Sequence, residues 1–152
     1  MNIGVIINLF GPNQQTLEII DSVNNDKLHK DLDVAVFFEE KHHGASNLNC
    51  AISYINTLWG YPGNVIATTL NSAAKLLSIP IGGQRYYYIY NFEWLNHRPF
   101  RYEPLMSVIC DPKIELICRT PEHAKIIENN FNRKVKFNLE TINFNKLMEN
   151  ML

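Results

Sequence analysis

Short runs of apolar, largely β-branched residues alternate with stretches of helical periodicity from one end of this chain to the other. Ile3 to Asn8 is such a run, free of charge, and its length and composition predict a strand buried on both faces. Leu17, Ile20 and Val23 then recur at helical spacing, with Asn13 placed to cap that helix by accepting from its first free N–H groups. Leu32 to Phe38, Val65 to Thr68, Tyr86 to Phe92, Ile114 to Cys118 and Val135 to Phe137 read as further strands. Helices are expected on Ala51, Ile55, Leu58 and Trp59, on Ala73 to Leu77, on Phe100 to Ile109, on Ala124 to Phe131, and on Phe144 to Met151. Thr120-Pro121-Glu122 is a helix start: threonine caps, proline suits the first helical position, and glutamate suits the positive end.

Strands separated by helices pair in parallel, because a parallel pair needs a crossover and the helix provides it. The expected fold is therefore α/β, a single Rossmann-like domain over residues 1–152. Its open, mostly parallel sheet should have about six strands and helices on both faces. A length of 152 residues suits one domain.

Composition narrows the function. Apolar residues make up 46% and the formal net charge is −1, so the chain reads as globular and has no overall attraction for nucleic acid or an anionic membrane. A local basic patch is still available from Arg98, Arg101, Arg119, Arg133 and Lys134. Cys50, Cys110 and Cys118 are odd in number and lack a C-x-x-C pair, which fits buried free thiols in a reducing compartment. No apolar stretch reaches the roughly 20 residues that cross a bilayer, and Met1-Asn2-Ile3-Gly4 has no leader character, so a cytoplasmic location is expected.

In an open parallel sheet, ligands bind beyond the carboxyl ends of the strands. That rule selects the loops Asn8 to Asn13, Glu39 to Asn47, Thr68 to Ser72, Asn91 to Arg101 and Arg119 to Glu122. Candidate ligand-binding residues on them are Gly11, Asn13, Thr68, Thr69, Asn71, Asn91, Trp94, Arg98, Arg119 and Thr120. Loops that lead into helices offer unpaired N–H groups to phosphate or carboxylate; capping is the ordinary alternative. Asn91 to Pro99 concentrates a carboxylate (Glu93), an indole (Trp94), an imidazole (His97) and a guanidinium (Arg98). Glu93 or His97 could act as a base toward a hydroxyl, with Trp94 as a platform for a ring; equally, Trp94 could anchor the loop in the core. Tyr86 to Tyr90 would carry aromatic rings on both faces of a strand, for packing or, at the extreme, for base stacking.

Several chemistries lack their signatures. No G-x-G-x-x-G follows the first strand, and there is no P-loop and no G-x-S-x-G elbow. No cofactor is therefore expected. No metal is expected either: His42 and His43 are loop neighbours that do not converge, and the Asp31-Leu32-Asp33 triplet falls at the wrong end of a strand.

Tyr87 to Leu95, followed by Ile114 to Ala124, resembles the amino-terminal lobe of two-lobed GT-B glycosyltransferases, especially small glycosyltransferase-like proteins of bacteriophages. Arg119-Thr120 before the helix at Pro121 matches the Ser or Thr that ends a strand in that lobe. The resemblance implies a sugar or nucleotide-sugar ligand, contacts from Arg119 and Thr120 to a phosphate or sugar, and, for a phage protein, the host cytoplasm. It also implies a second lobe, with its acidic pair and phosphate-binding helix, that this chain does not carry. Glycosyl transfer would then need self-association, as in a homodimer, or a partner. The alternative is a non-catalytic protein on a degenerate glycosyltransferase fold, binding a host protein or a nucleotide ligand.

Overall fold

The structure is a computed structural model, and it describes residues 1–10, 13–25, 28–41, 48–96 and 102–152. Strands are β1 (Asn2–Phe10), β2 (Asp33–Lys41), β3 (Ala51–Tyr54), β4 (Asn64–Ala67), β5 (Arg85–Ile89), β6 (Ile114–Cys118) and β7 (Val135–Asn138). Helices are α1 (Gln14–Asn25), α2 (Leu70–Ser78), α3 (Tyr102–Ile109), α4 (Pro121–Phe131) and α5 (Phe144–Met151). Single 3-10 turns follow β3 at Ile55–Leu58 and β5 at Glu93–Asn96. The strands form one sheet in the order β3-β2-β1-β4-β5-β6-β7, and every neighbouring pair is parallel.

Alternation along the strands divides the core in two. Ile3, Val5 and Ile7 of β1, Val34, Val36 and Phe38 of β2, and Tyr86 and Tyr88 of β5 face α1 and α5. Ile6, Phe37, Val65, Ala67 and Tyr87 face α2, α3 and α4. Helices thus cover both faces, as a sheet of parallel strands requires. Tyr86, Tyr87 and Tyr88 are wholly buried, so the tyrosine stripe is packing; Tyr88 Oη also donates to the carbonyls of Leu139 (2.9 Å) and Glu140 (3.2 Å).

Two expectations are corrected. The helix expected at Ala51 to Trp59 is instead strand β3, paired with Ala35 to Phe38 of β2, and then a 3-10 turn. Of the four apolar positions at helical spacing only Leu58 is buried; Ile52 and Tyr54, at strand spacing, belong to the sheet. This adds the seventh strand. On α1, Leu17 faces solvent, and Thr16, Ile19, Ile20 and Val23 form the buried face.

Local signals at helix ends hold. Thr120 Oγ1 accepts from the N–H of His123 at 3.2 Å with Pro121 at the first helical position. Asn132, at φ 50°, closes α4 in the left-handed conformation that asparagine tolerates. At the amino rim of the sheet the backbone packs so closely that a Cβ on Gly63 would lie 2.2 Å from the carbonyl oxygen of Asn2.

Candidate functional site

The strand order reverses between β1 and β4: from β1 the chain builds outward to β2 and β3, then returns to β4 on the other side. Helices leaving β1 and β4 diverge to opposite faces and open a crevice at the carboxyl ends. A cleft of about 280 Å³ lies there, lined by Asn13, Gln14 and Gln15 at the start of α1, Thr68 and Thr69 after β4, and Tyr90, Asn91 and Glu93 after β5. Five of these were expected from the sequence: Asn13, Thr68, Thr69, Asn91 and Glu93.

Each wall is tied to the fold by a hydrogen bond. Asn13 Oδ1 accepts from the N–H of Thr16 at 2.9 Å, the expected cap of α1. Thr68 Oγ1 donates to the carbonyl of Ile6 at 2.8 Å, joining the ends of β4 and β1. Gln15 Nε2 donates to the carbonyl of Thr68 at 3.3 Å across the cleft floor. Thr69 and Ser72 form a reciprocal capping box on α2, at 3.1 Å and 3.0 Å.

Glu93 is the most constrained of the lining groups. Its Oε1 accepts from the N–H of Leu70, the first residue of α2, at 2.6 Å, and from Tyr87 Oη at 2.6 Å. The carboxylate therefore sits at the positive end of α2, where a bound anion would otherwise dock. Burial first, and then the Glu93 charge, pushes the Tyr87 phenol well above its ordinary range, so Tyr87 remains a donor.

Tyr90 forms the opposite wall. Its hydroxyl donates to Glu18 Oε1 at 2.8 Å, and Gln14 Nε2 reaches the same oxygen at 3.4 Å. Desolvation and the Glu18 contact raise the Tyr90 phenol above its usual value. The Arg119 guanidinium stacks on the Tyr90 ring at 4.4 Å, while its Nε donates to the carbonyl of Glu140 at 3.1 Å. Arg119 thus supports the cleft from behind and is not one of the lining residues.

The remaining sequence candidates lie elsewhere. Thr120 caps α4. Asn71 is on the exposed side of α2, where its Nδ2 lies 3.5 Å from Glu39 Oε2, which also pairs with Lys75. Trp94 is buried, 5.0 Å from the Phe92 ring and edge-on to Phe131 at 5.9 Å, so its indole anchors the 3-10 turn in the core. Gly11, His97 and Arg98 lie outside the described residues.

Among the described residues no three His, Cys, Asp or Glu side chains gather where they could hold a metal ion, and no helix is long and apolar enough to cross a membrane. Asp33 starts β2, on the rim opposite the cleft. Gln14, Gln15 and Tyr90 are lining residues that sequence reasoning missed. Tyr90 carried the available signal: it is the first tyrosine past the end of β5, where the stripe leaves the sheet.

Fold and cleft together define a Rossmann-like α/β domain with a polar crevice at its topological switch point. Comparisons with family profiles, with curated proteins and with solved structures find no match for the chain.

Proposed function

We propose that the chain is a sugar-binding, glycosyltransferase-like domain, one lobe of the GT-B kind, whose cleft holds a sugar or the sugar portion of a nucleotide sugar. The observation that carries this reading is the lining itself: among the described residues it is four carboxamides, two threonine hydroxyls, a phenol and one carboxylate, with no lysine or arginine. Carboxamides present donors and acceptors side by side and match the alternating demands of neighbouring hydroxyl groups. A volume of about 280 Å³ lies just below the roughly 300 Å³ at which sites for drug-sized ligands begin, and suits one ring.

The charge pattern refines the ligand class. Leu70 N–H is already taken by Glu93, and Thr69 and Ser72 close the capping box, so the mouth of α2 favours hydroxyls over phosphate. The same geometry favours binding over catalysis by this domain alone, because Glu93 already accepts two hydrogen bonds on Oε1, which hold the carboxylate to Leu70 and Tyr87. Glycosyl transfer would draw its base and its diphosphate contacts from outside this domain.

The test is thermal unfolding with free hexoses and with UDP-hexoses at millimolar concentration, since a ligand of the folded state raises the melting temperature. A rise with either, lost in Asn13→Ala and Asn91→Ala, supports the reading. No rise with any sugar or nucleotide sugar removes it.

A further inference from the structure

The two edges of the sheet are built differently. β7 is guarded: Lys136 lies on the strand, Lys134 directly before it, and both are exposed. Charged residues of this kind keep an edge from pairing with other chains. β3, the other edge, carries no charged residue. The chain has no Asp, Glu, Lys or Arg between Lys41 and Lys75, and β3 falls in the middle of that stretch. Ile52 is 40% exposed, Tyr54 54% and Trp59, five positions further along the chain, 69%. Among the described residues no strand pairs with the outer side of β3.

We propose that β3 is a self-association edge through which two copies of this chain join into one continuous sheet, doubling its seven strands. Charge selects the occupant. A two-fold contact presents the same patch twice, so a patch that carries one sign of charge repels its own copy. β3 has none to repel its own copy, and none to attract a charged partner. β7 brought against itself would set lysines face to face.

Symmetry then fixes the geometry. A two-fold axis along the strands would point the N–H and C=O groups of each residue at the same residue of the other copy, and a parallel ladder does not bond that way. The remaining axis is perpendicular to the sheet and gives an antiparallel ladder in which even-numbered residues oppose even-numbered ones. Centred on Ile52, this sets Ile52 against Ile52 and Tyr54 against Cys50. These residues share the face of Val36 and Phe38, with which Ile52 and Tyr54 are in register, and the Tyr54 ring already lies 4.4 Å from Phe38. The dimer extends one apolar stripe across the junction. Its strands run in opposite directions in the two copies, so the two clefts open on opposite rims.

The experiment is sedimentation and light scattering on the wild type, Ile52→Lys and Ile126→Lys, from low micromolar to several hundred micromolar. Ile126 is an equally exposed isoleucine on α4, at 42%. The expected result is a concentration-dependent mass of twice the chain for the wild type and Ile126→Lys, and the single-chain mass for Ile52→Lys with an unchanged circular dichroism spectrum. Tyr54→Lys serves if Ile52→Lys fails to fold. A wild type that stays a single chain at the highest concentration, or a dimer that survives a folded lysine variant at β3, overturns the proposal.

Discussion

Glu93 shows how far one carboxylate can be committed within the fold. It spans 23 positions to satisfy the N–H of Leu70 and, on the same oxygen, the hydroxyl of the fully buried Tyr87. Removing it in Glu93→Ala strands both donors, and an unmet buried polar group costs about 1–3 kcal/mol. Chemical denaturation should show a loss of this size, with Glu93→Gln losing less because its amide oxygen still accepts. Equal losses in the two variants would mean that charge, and not hydrogen bonding, fixes this corner. The thiols give a second test at the same scale. Burial pushes Cys118 up to about 12 and Cys50 up to about 11, from the ordinary 9.0, and Cys110 is exposed. A group whose pKa is raised in the folded state holds its proton there while the unfolded chain ionises. Stability is therefore undiminished below pH 9 and falls as pH rises from there toward 12. At pH 8 a thiol reagent should label Cys110 rapidly and Cys118 only on unfolding; rapid labelling of Cys118 would contradict its burial.

At the level of elements, helix ends were legible because their signals are local. Asn13, Thr69 and Thr120 each bond a backbone N–H three residues on. Thr120→Ala should lower stability by about 1 kcal/mol, the usual worth of such a cap, and leave unchanged any melting shift that a sugar produces in the wild type. A lost shift would make Thr120 a ligand contact after all. Gly63→Ala should cost about 1–3 kcal/mol or more by overpacking, because its Cβ would meet backbone that cannot rotate away. Strand β3 was illegible for a physical reason. Ala51, Ile55, Leu58 and Trp59 satisfy the helical period by coincidence, and what decides the matter is a ladder with Ala35 to Phe38, which no local window contains. The bond from Glu93 to Leu70 was hidden in the same way, and the burial of Trp94 depends on Phe131, 37 positions away. The rim holding Asn13, Thr68, Thr69, Asn91 and Glu93 was readable because the parallel alternation brings all strand ends together whatever the details of pairing.

The whole molecule places its cleft and its open edge on different parts of one sheet. The cleft stands over β1, β4 and β5, and β3 is two strands from β1. At about 4.8 Å per strand that is roughly 10 Å of intervening sheet, with β2 rigidly paired along its length to β1. Antiparallel joining also turns the second cleft toward the opposite rim, so neither copy supplies a wall to the other. The independence of cleft and edge can be measured directly. Ile52→Lys, although a single chain, should bind whichever sugar stabilises the wild type with the same affinity, within a factor of about two, in a calorimetric titration. A drop of tenfold or more, about 1.4 kcal/mol, would mean that joining at β3 shapes the cleft, and that the two copies act as one binding unit.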